Sequence, residues 1–269
     1  MERIIDFHMH FYNFENSEEK LIDTIKKMNY EKVIISAIEG GEYIYGNKEV
    51  IEIYRKYPDF IIPFAHFRLG IDKKEKIDKF LKMGFKSIKF IRPLKNYDDE
   101  SYFPVYEKIE NENLIALFHT GVVSRTGQEN KKVNVSSGRM RPIFLDTIAR
   151  NFPKLIIIGA HLGYPWYEEA TEVARVNPNV YFDLSGPCIY SRNSSYFKEI
   201  FWCKNKKLGK RNIILLGKIL FGSDIWYEYI PQFVEDIKNF FIEIGERKYI
   251  NEFFYNKGVE ILKKGGLWK

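Results

Sequence analysis

The sequence predicts an α/β protein folded as one (β/α)8 TIM barrel over residues 1–269. Three observations carry that expectation. Short apolar runs recur down the chain, helix-patterned stretches separate them, and the first strand-to-helix turn lacks glycine. The runs are RIIDFHMH from Arg3, KVIISAIE from Lys32, FIIPFAHF from Phe60 and SIKFIR from Ser87. They continue with LIALFHTG from Leu114, LIIIGAHLG from Leu155, NVYFDLSG from Asn179 and KILFGSDIW from Lys218. Most are nearly continuous in apolar residues and rich in Ile, as strands covered on both faces are.

SEEKLIDTIKKMNY follows the first run, NKEVIEIYRKYP the second, KKEKIDKFLKMG the third and RPIFLDTIARNFP the fifth, each with helical periodicity. Strand starts are spaced by roughly 25 to 29 residues, widening after the fifth and seventh, close to the ~30 residues that a strand and its returning helix need. Eight such units fit a closed barrel. An open doubly wound sheet would carry a glycine-rich first turn, whereas this chain reads HMHFYNF there. The two wide intervals are expected to carry loops over the active face, and no linker divides the chain.

Composition excludes several classes. The formal charge of +6 comes from lysines interspersed with glutamates on helical stretches, the pattern of solvated faces. No basic block or nucleic-acid motif accompanies it. Two cysteines, Cys188 and Cys203, have neither a disulfide framework nor metal-site spacing, and are expected to be thiols in a reducing cytoplasm. The first strand starts too early to leave room for a signal peptide, and no 18-residue apolar run would span a membrane. The expected partner is a small-molecule substrate, with no nucleic acid and no membrane; a homodimer stays open.

The five histidines, His8, His10, His66, His119 and His161, all fall at or near the ends of predicted strands, and Asp224 ends the eighth in FGSD. The C-terminal ends of barrel strands are where this fold does chemistry. A lone histidine of this kind is ordinarily a hydrogen-bonded core residue. On a strand, however, i and i+2 project from one face, which sets His8 and His10 side by side. With imidazoles from the first and fifth strands and a carboxylate from the eighth, nitrogen and oxygen donors and an open position suit a catalytic divalent metal.

These residues resemble the amidohydrolase superfamily, within it the amidohydrolase-2 branch that includes aminocarboxymuconate-semialdehyde decarboxylase-like enzymes. The likeness runs from IDFHMH through FHTG, RPIFLDTIARNFPKLIIIGAHLGYPW, VYFDLSG and ILFGSD to the closing FFYNKGVEIL. It implies a metal held by His8, His10, His119 and Asp224, with Asp224 and His161 as the catalytic pair. Zinc is expected, with manganese or a binuclear site as alternatives. Lys89, in SIKFIR, lies on the strand where binuclear relatives place a carboxylated bridging lysine, although an inward lysine can equally pair with a carboxylate.

For the substrate, guanidinium groups fit carboxylates; Arg68 and Arg92, together with Arg125, Lys131, Lys132, Arg139 and Arg141, are candidates. His66, Lys89, Arg141 and Trp166 are the candidate pocket residues, and Tyr43, Tyr45, Trp226 and Tyr227 supply aromatics near strand ends. The expected reaction is hydrolysis of a lactone, ester or amide by metal-activated water. The alternative is non-oxidative decarboxylation of an unsaturated or aromatic acid at the same site. Hydrolysis is placed first because it needs only a polarised carbonyl, and because the chain is shorter than most decarboxylases it resembles.

Overall fold

In the computed structural model, which describes residues 2–124, 134–201 and 213–268, the eight runs form one sheet in sequence order. The strands are β1 (Ile4–Met9), β2 (Tyr30–Ser36), β3 (Ile61–Phe67), β4 (Ser87–Phe90), β5 (Ile115–Phe118), β6 (Ile156–Gly159), β7 (Val180–Asp183) and β8 (Ile219–Leu220). Every neighbouring pair is parallel. The edges approach through Phe7 N–H to Phe221 O at 2.9 Å and Asp224 N–H to His8 O at 2.7 Å. Asp6 adds a side-chain clasp, its Oδ1 accepting from Ser223 N–H at 3.0 Å and its Oδ2 from the Tyr30 hydroxyl at 3.2 Å.

The helices of the described residues are α1 (Ser17–Lys27), α2 (Asn47–Lys56), α3 (Lys76–Met83), α4 (Phe103–Asn111), α5 (Phe144–Asn151), α6 (Tyr167–Val176), α7 (Ser194–Phe201), α8 (Ile213–Leu216), α9 (Ile230–Glu243) and α10 (Lys257–Lys264). The stretches read as helical become α1, α2, α3 and α5. α5 starts only at Phe144, because Arg141 is extended at φ −67°, ψ 141°, the conformation a following proline favours. None of these helices is long and apolar enough to cross a membrane.

Two apolar clusters follow from strand alternation. The larger lies between sheet and helices and includes Ile4, Met9, Ile88, Phe90, Ala116 and Phe118. The smaller gathers the opposite face: Ile5, Phe7, Ile34, Phe64, Leu117, Ile158 and Leu220, joined by Tyr255, Ile261 and Leu262 from the C-terminal segment. α10 packs so closely here that a Cβ on Gly258 would stand 2.8 Å from that of Ile5.

β1 breaks the alternation. Asp6 pairs with Val33 and Met9 with Ile35, so one extra residue is inserted on β1. Ile5 and Phe7 join the inner cluster, yet Met9 joins the outer one. A bulge of this kind re-aims the side chains beyond it, and those side chains are His8 and His10.

Candidate metal centre and active site

The site forms where four strand ends meet. His8 and His10 leave the bulged end of β1, His119 follows β5, His161 follows β6 and Asp224 lies just beyond β8. The His119 backbone is pinned by its N–H to Phe90 O at 2.8 Å and by the Tyr97 hydroxyl, which donates to His119 O at 2.9 Å. His161 (φ 59°), Leu162 (φ 44°) and Asp224 (φ 44°) occupy the left-handed region without being glycine. Such strain persists where surrounding contacts over-determine it, and it concentrates at functional sites.

Asp224 is the hub. Its Oδ1 lies 3.2 Å from His10 Nε2, and its Oδ2 lies 3.4 Å from His161 Nε2 and 3.9 Å from His8 Nε2. Among the described residues, His8, His161 and Asp224 form the set whose donor atoms all lie within 4.8 Å of one another. The set expected from sequence shared His8 and Asp224 but named His10 and His119 in place of His161. His10 is held by a 2.6 Å bond from its Nδ1 to Ser36 O, with its Nε2 facing Asp224 Oδ1. His119 stacks edge-on beside His161 with ring centroids 4.9 Å apart.

The hydrogen-bond chemistry fits a cation. Ser36 O accepts only, so His10 Nδ1 carries a proton and Nε2 is the nitrogen that faces the Asp224 carboxylate. His8 Nδ1 faces Asp183 Oδ2 at 3.1 Å, which leaves its Nε2 as the accepting nitrogen, met by Lys89 Nζ at 2.9 Å. His119 Nε2 is buried with no hydrogen-bond partner. Several nitrogen lone pairs converging on one carboxylate repel unless a cation or protons lie among them. Protonation is disfavoured for two of the rings. Burial, reinforced by Lys89, pushes His8 down to about 4, and burial with the His161 and Lys89 charges pushes His119 well below the usual imidazole range. The donor set thus suits a divalent metal held by imidazole and carboxylate. Burial opposes ionisation of Asp224, but the imidazoles of His8 and His10 outweigh it and hold the carboxyl well below its ordinary value.

Lys89, wholly buried on β4, donates from Nζ to His8 Nε2 at 2.9 Å. Burial lowers its pKa to about 8, against the pull of Asp224 and Asp183. It belongs to the polar floor of the site and does not line the cavity.

That cavity, about 400 Å³, opens over Asp224, His10, His119 and His161. Ile38, Ile44, Ile91, Val122, Val123, Tyr43 and Tyr164 form apolar walls, and Arg92, Glu42, Thr120 and Ser124 add polar groups. Besides Lys89, three pocket expectations are corrected. His66 is 3% exposed and serves structure: Nδ1 accepts from Glu39 N–H at 2.9 Å, and its backbone is bracketed by the Asn47 amide at 2.8 and 3.2 Å. Arg141 and Trp166 do not line the cavity. Arg141 pairs with Glu169, Nε to Oε2 at 3.3 Å, and its guanidinium lies 5.4 Å from the Trp166 ring. Its counter-charge and its neighbouring ring are therefore both satisfied elsewhere. Arg68 reaches the site only indirectly, Nε donating to Arg92 O at 3.1 Å. Arg139 Nη1 donates to Pro93 O at 3.4 Å. Arg125, Lys131, Lys132 and Cys203 lie outside the described residues. Tyr43 lines the cavity, whereas Tyr45 and Tyr227 are packed among other rings and Trp226 stacks on Tyr12 with centroids 4.6 Å apart.

Sequence reasoning missed Asp183 and Ser185. Their signal was present in VYFDLSG: a polar pair at i and i+2 closing an apolar strand presents both side chains to one face.

A barrel with a His–His–Asp cluster at its C-terminal mouth has a donor set that could hold a metal ion. More specifically, a family model described as amidohydrolase matches residues 5–245, and the chain belongs to that family, in its amidohydrolase-2 branch. No curated protein matches the sequence. Among solved structures, an uncharacterised TIM-barrel protein from Bordetella bronchiseptica superposes with a TM-score of 0.69 at 17% identity, covering 98% of this chain and 99% of that one. A probable 2-pyrone-4,6-dicarboxylic acid hydrolase from Acinetobacter baumannii, with citric acid bound, gives 0.62 at 13%, covering 97% and 99%. The 5-carboxyvanillate decarboxylase of Sphingomonas paucimobilis gives 0.61 at 11%, covering 98% and 99%. These likenesses speak to fold. They include both a hydrolase and a decarboxylase and do not distinguish the two reactions.

Proposed function

We propose that this protein is a metal-dependent hydrolase that opens a lactone, ester or amide carbonyl of a small carboxylated substrate. The observation that carries the reading is the Asp224 carboxylate, held ionised between His10 and His161 at the floor of a cavity of about 400 Å³. His8, His10, His119 and Asp224 would hold one divalent metal, zinc first, with His161 beside them. When bound, that ion would polarise the substrate carbonyl and acidify water. Asp224 accepts the proton of the attacking water. His161 Nε2, near Asp224 Oδ2, is placed to pass that proton to the leaving group. The apolar walls exclude bulk water and strengthen these interactions. Arg92, at the cavity wall, suits a substrate carboxylate.

A parallel assay of zinc- and manganese-loaded protein on lactones, esters and amides, and on hydroxybenzoate- and muconate-type acids, tests the reading. Turnover is expected on the first panel, favouring carboxylated members. Arg92→Ala should raise KM for those members by ~10-fold or more and leave neutral analogues unchanged. Carbon dioxide release from the acids, with no carbonyl hydrolysis, would make the protein a decarboxylase instead.

A further inference from the structure

The end of β7 carries a polar pair to which the proposed reaction gives no role. Asp183 and Ser185 are both fully buried, and between them they touch two of the imidazoles. Asp183 Oδ2 faces His8 Nδ1 at 3.1 Å. Asp183 Oδ1 accepts from the backbone N–H of His161 at 2.8 Å and of Ser185 at 3.0 Å, and it also takes the Ser185 hydroxyl proton. Ser185 Oγ stands 2.9 Å from His161 Nδ1 and 3.1 Å from His8 Nδ1.

Counting protons leaves one arrangement. Asp183 Oδ1 takes two backbone N–H groups and the Ser185 hydroxyl proton, the donor set of a carboxylate, so Asp183 accepts at Oδ2 as well. The single Ser185 hydroxyl proton is committed to it, so towards His161 Ser185 Oγ also only accepts. His8 and His161 must therefore both donate from Nδ1. The carbonyl of Ser185, 3.4 Å from His161 Nδ1, asks for the same tautomer. Asp183 Oδ1 also holds the left-handed backbone of His161.

We infer that Asp183 and Ser185 act as one positioning anchor, fixing His8 and His161 as Nδ1–H tautomers, so that Nε2 is the accepting nitrogen of both rings, that of His161 facing Asp224 and the cavity and that of His8 facing Lys89 and Asp224. The inference rests on the metal-site reading only for its consequence. A neutral His161 in this tautomer is an acceptor, a ligand or a proton-receiving group; it can donate to a substrate oxygen only after taking up a proton.

The chain has only five histidines, so long-range proton–nitrogen correlation spectra of histidine-labelled, metal-free protein resolve each tautomer. The wild type is expected to show Nδ1–H on both His8 and His161. Asp183→Asn should lose that pattern at His8, because the new amide can donate, and its zinc affinity by chelator competition should fall ~10–100-fold. Ser185→Ala, which removes only a hydroxyl and serves if Asp183→Asn misfolds, should mix the tautomers of His161, and Ser185→Thr should restore them. An Nε2–H signal from either ring in the wild type, or unchanged tautomers in both Asp183→Asn and Ser185→Ala, overturns the inference. If the wild-type tautomers are as expected but zinc does not bind, the anchor stands and the metal reading fails.

Discussion

Asp224→Asn is expected to lower kcat by ~10²-fold or more while leaving the thermal midpoint nearly unchanged. The amide keeps the shape of the carboxylate and can donate to the His10 and His161 lone pairs it faces, so packing survives. What disappears is the negative charge and the basicity. Because the wild-type carboxyl is held well below its ordinary value, Asp224 stays ionised as pH falls through the ordinary carboxylate range. Activity dependent on it is lost only as pH drops through that depressed pKa. Metal content should be measured on the same preparation. A variant that retains metal but not turnover identifies Asp224 as the base, and one with full activity moves that role to His161.

Removal of bound metal should abolish turnover, and zinc or manganese should restore it with a stoichiometry near one ion per chain. The reasoning lies in Lys89. Its ammonium donates to His8 Nε2, a role open to the free amine and closed to a carboxylated bridge. Lys89→Ala is therefore expected to retain near-unit metal content, with altered affinity because His8 loses a donor. Two ions per chain in the wild type, with loss of activity in Lys89→Ala and rescue by short-chain carboxylate, would instead establish a binuclear centre.

Much of this was legible from the chain because the barrel writes its periodicity plainly. Continuous Ile-rich runs can be little else than strands buried on both faces, and histidines at their C-terminal ends locate the mouth. What stayed hidden depends on geometry that alternation cannot encode. Strict period two would place His8 and His10 opposite Phe7, and only the inserted residue in β1 turns all three inward. His66 sits at a strand end like the others, yet its partners, Glu39 and Asn47, come from the connection after β2 and the first residue of α2, and sequence gives no notice of them. Arg141 looked like a substrate clamp because its partner Glu169 lies on α6, beyond the reach of any local pattern.

Asp6 and Ser223 are 217 positions apart, yet their hydrogen bond lies at the seam where β8 meets β1. His8 leaves one side of that seam and Asp224 the other. The chemical groups thus come from opposite ends of the folding problem: the first strand synthesised and the last. Closing so long a loop is entropically slow and must precede the contacts that reward it. Until the seam forms, His8 and Asp224 cannot share an ion, so a partly folded chain offers only fragments of a ligand set. If His8 and Asp224 share an ion as proposed, its capture should follow ring closure, and recovery of metal binding on refolding should report the completion of the barrel.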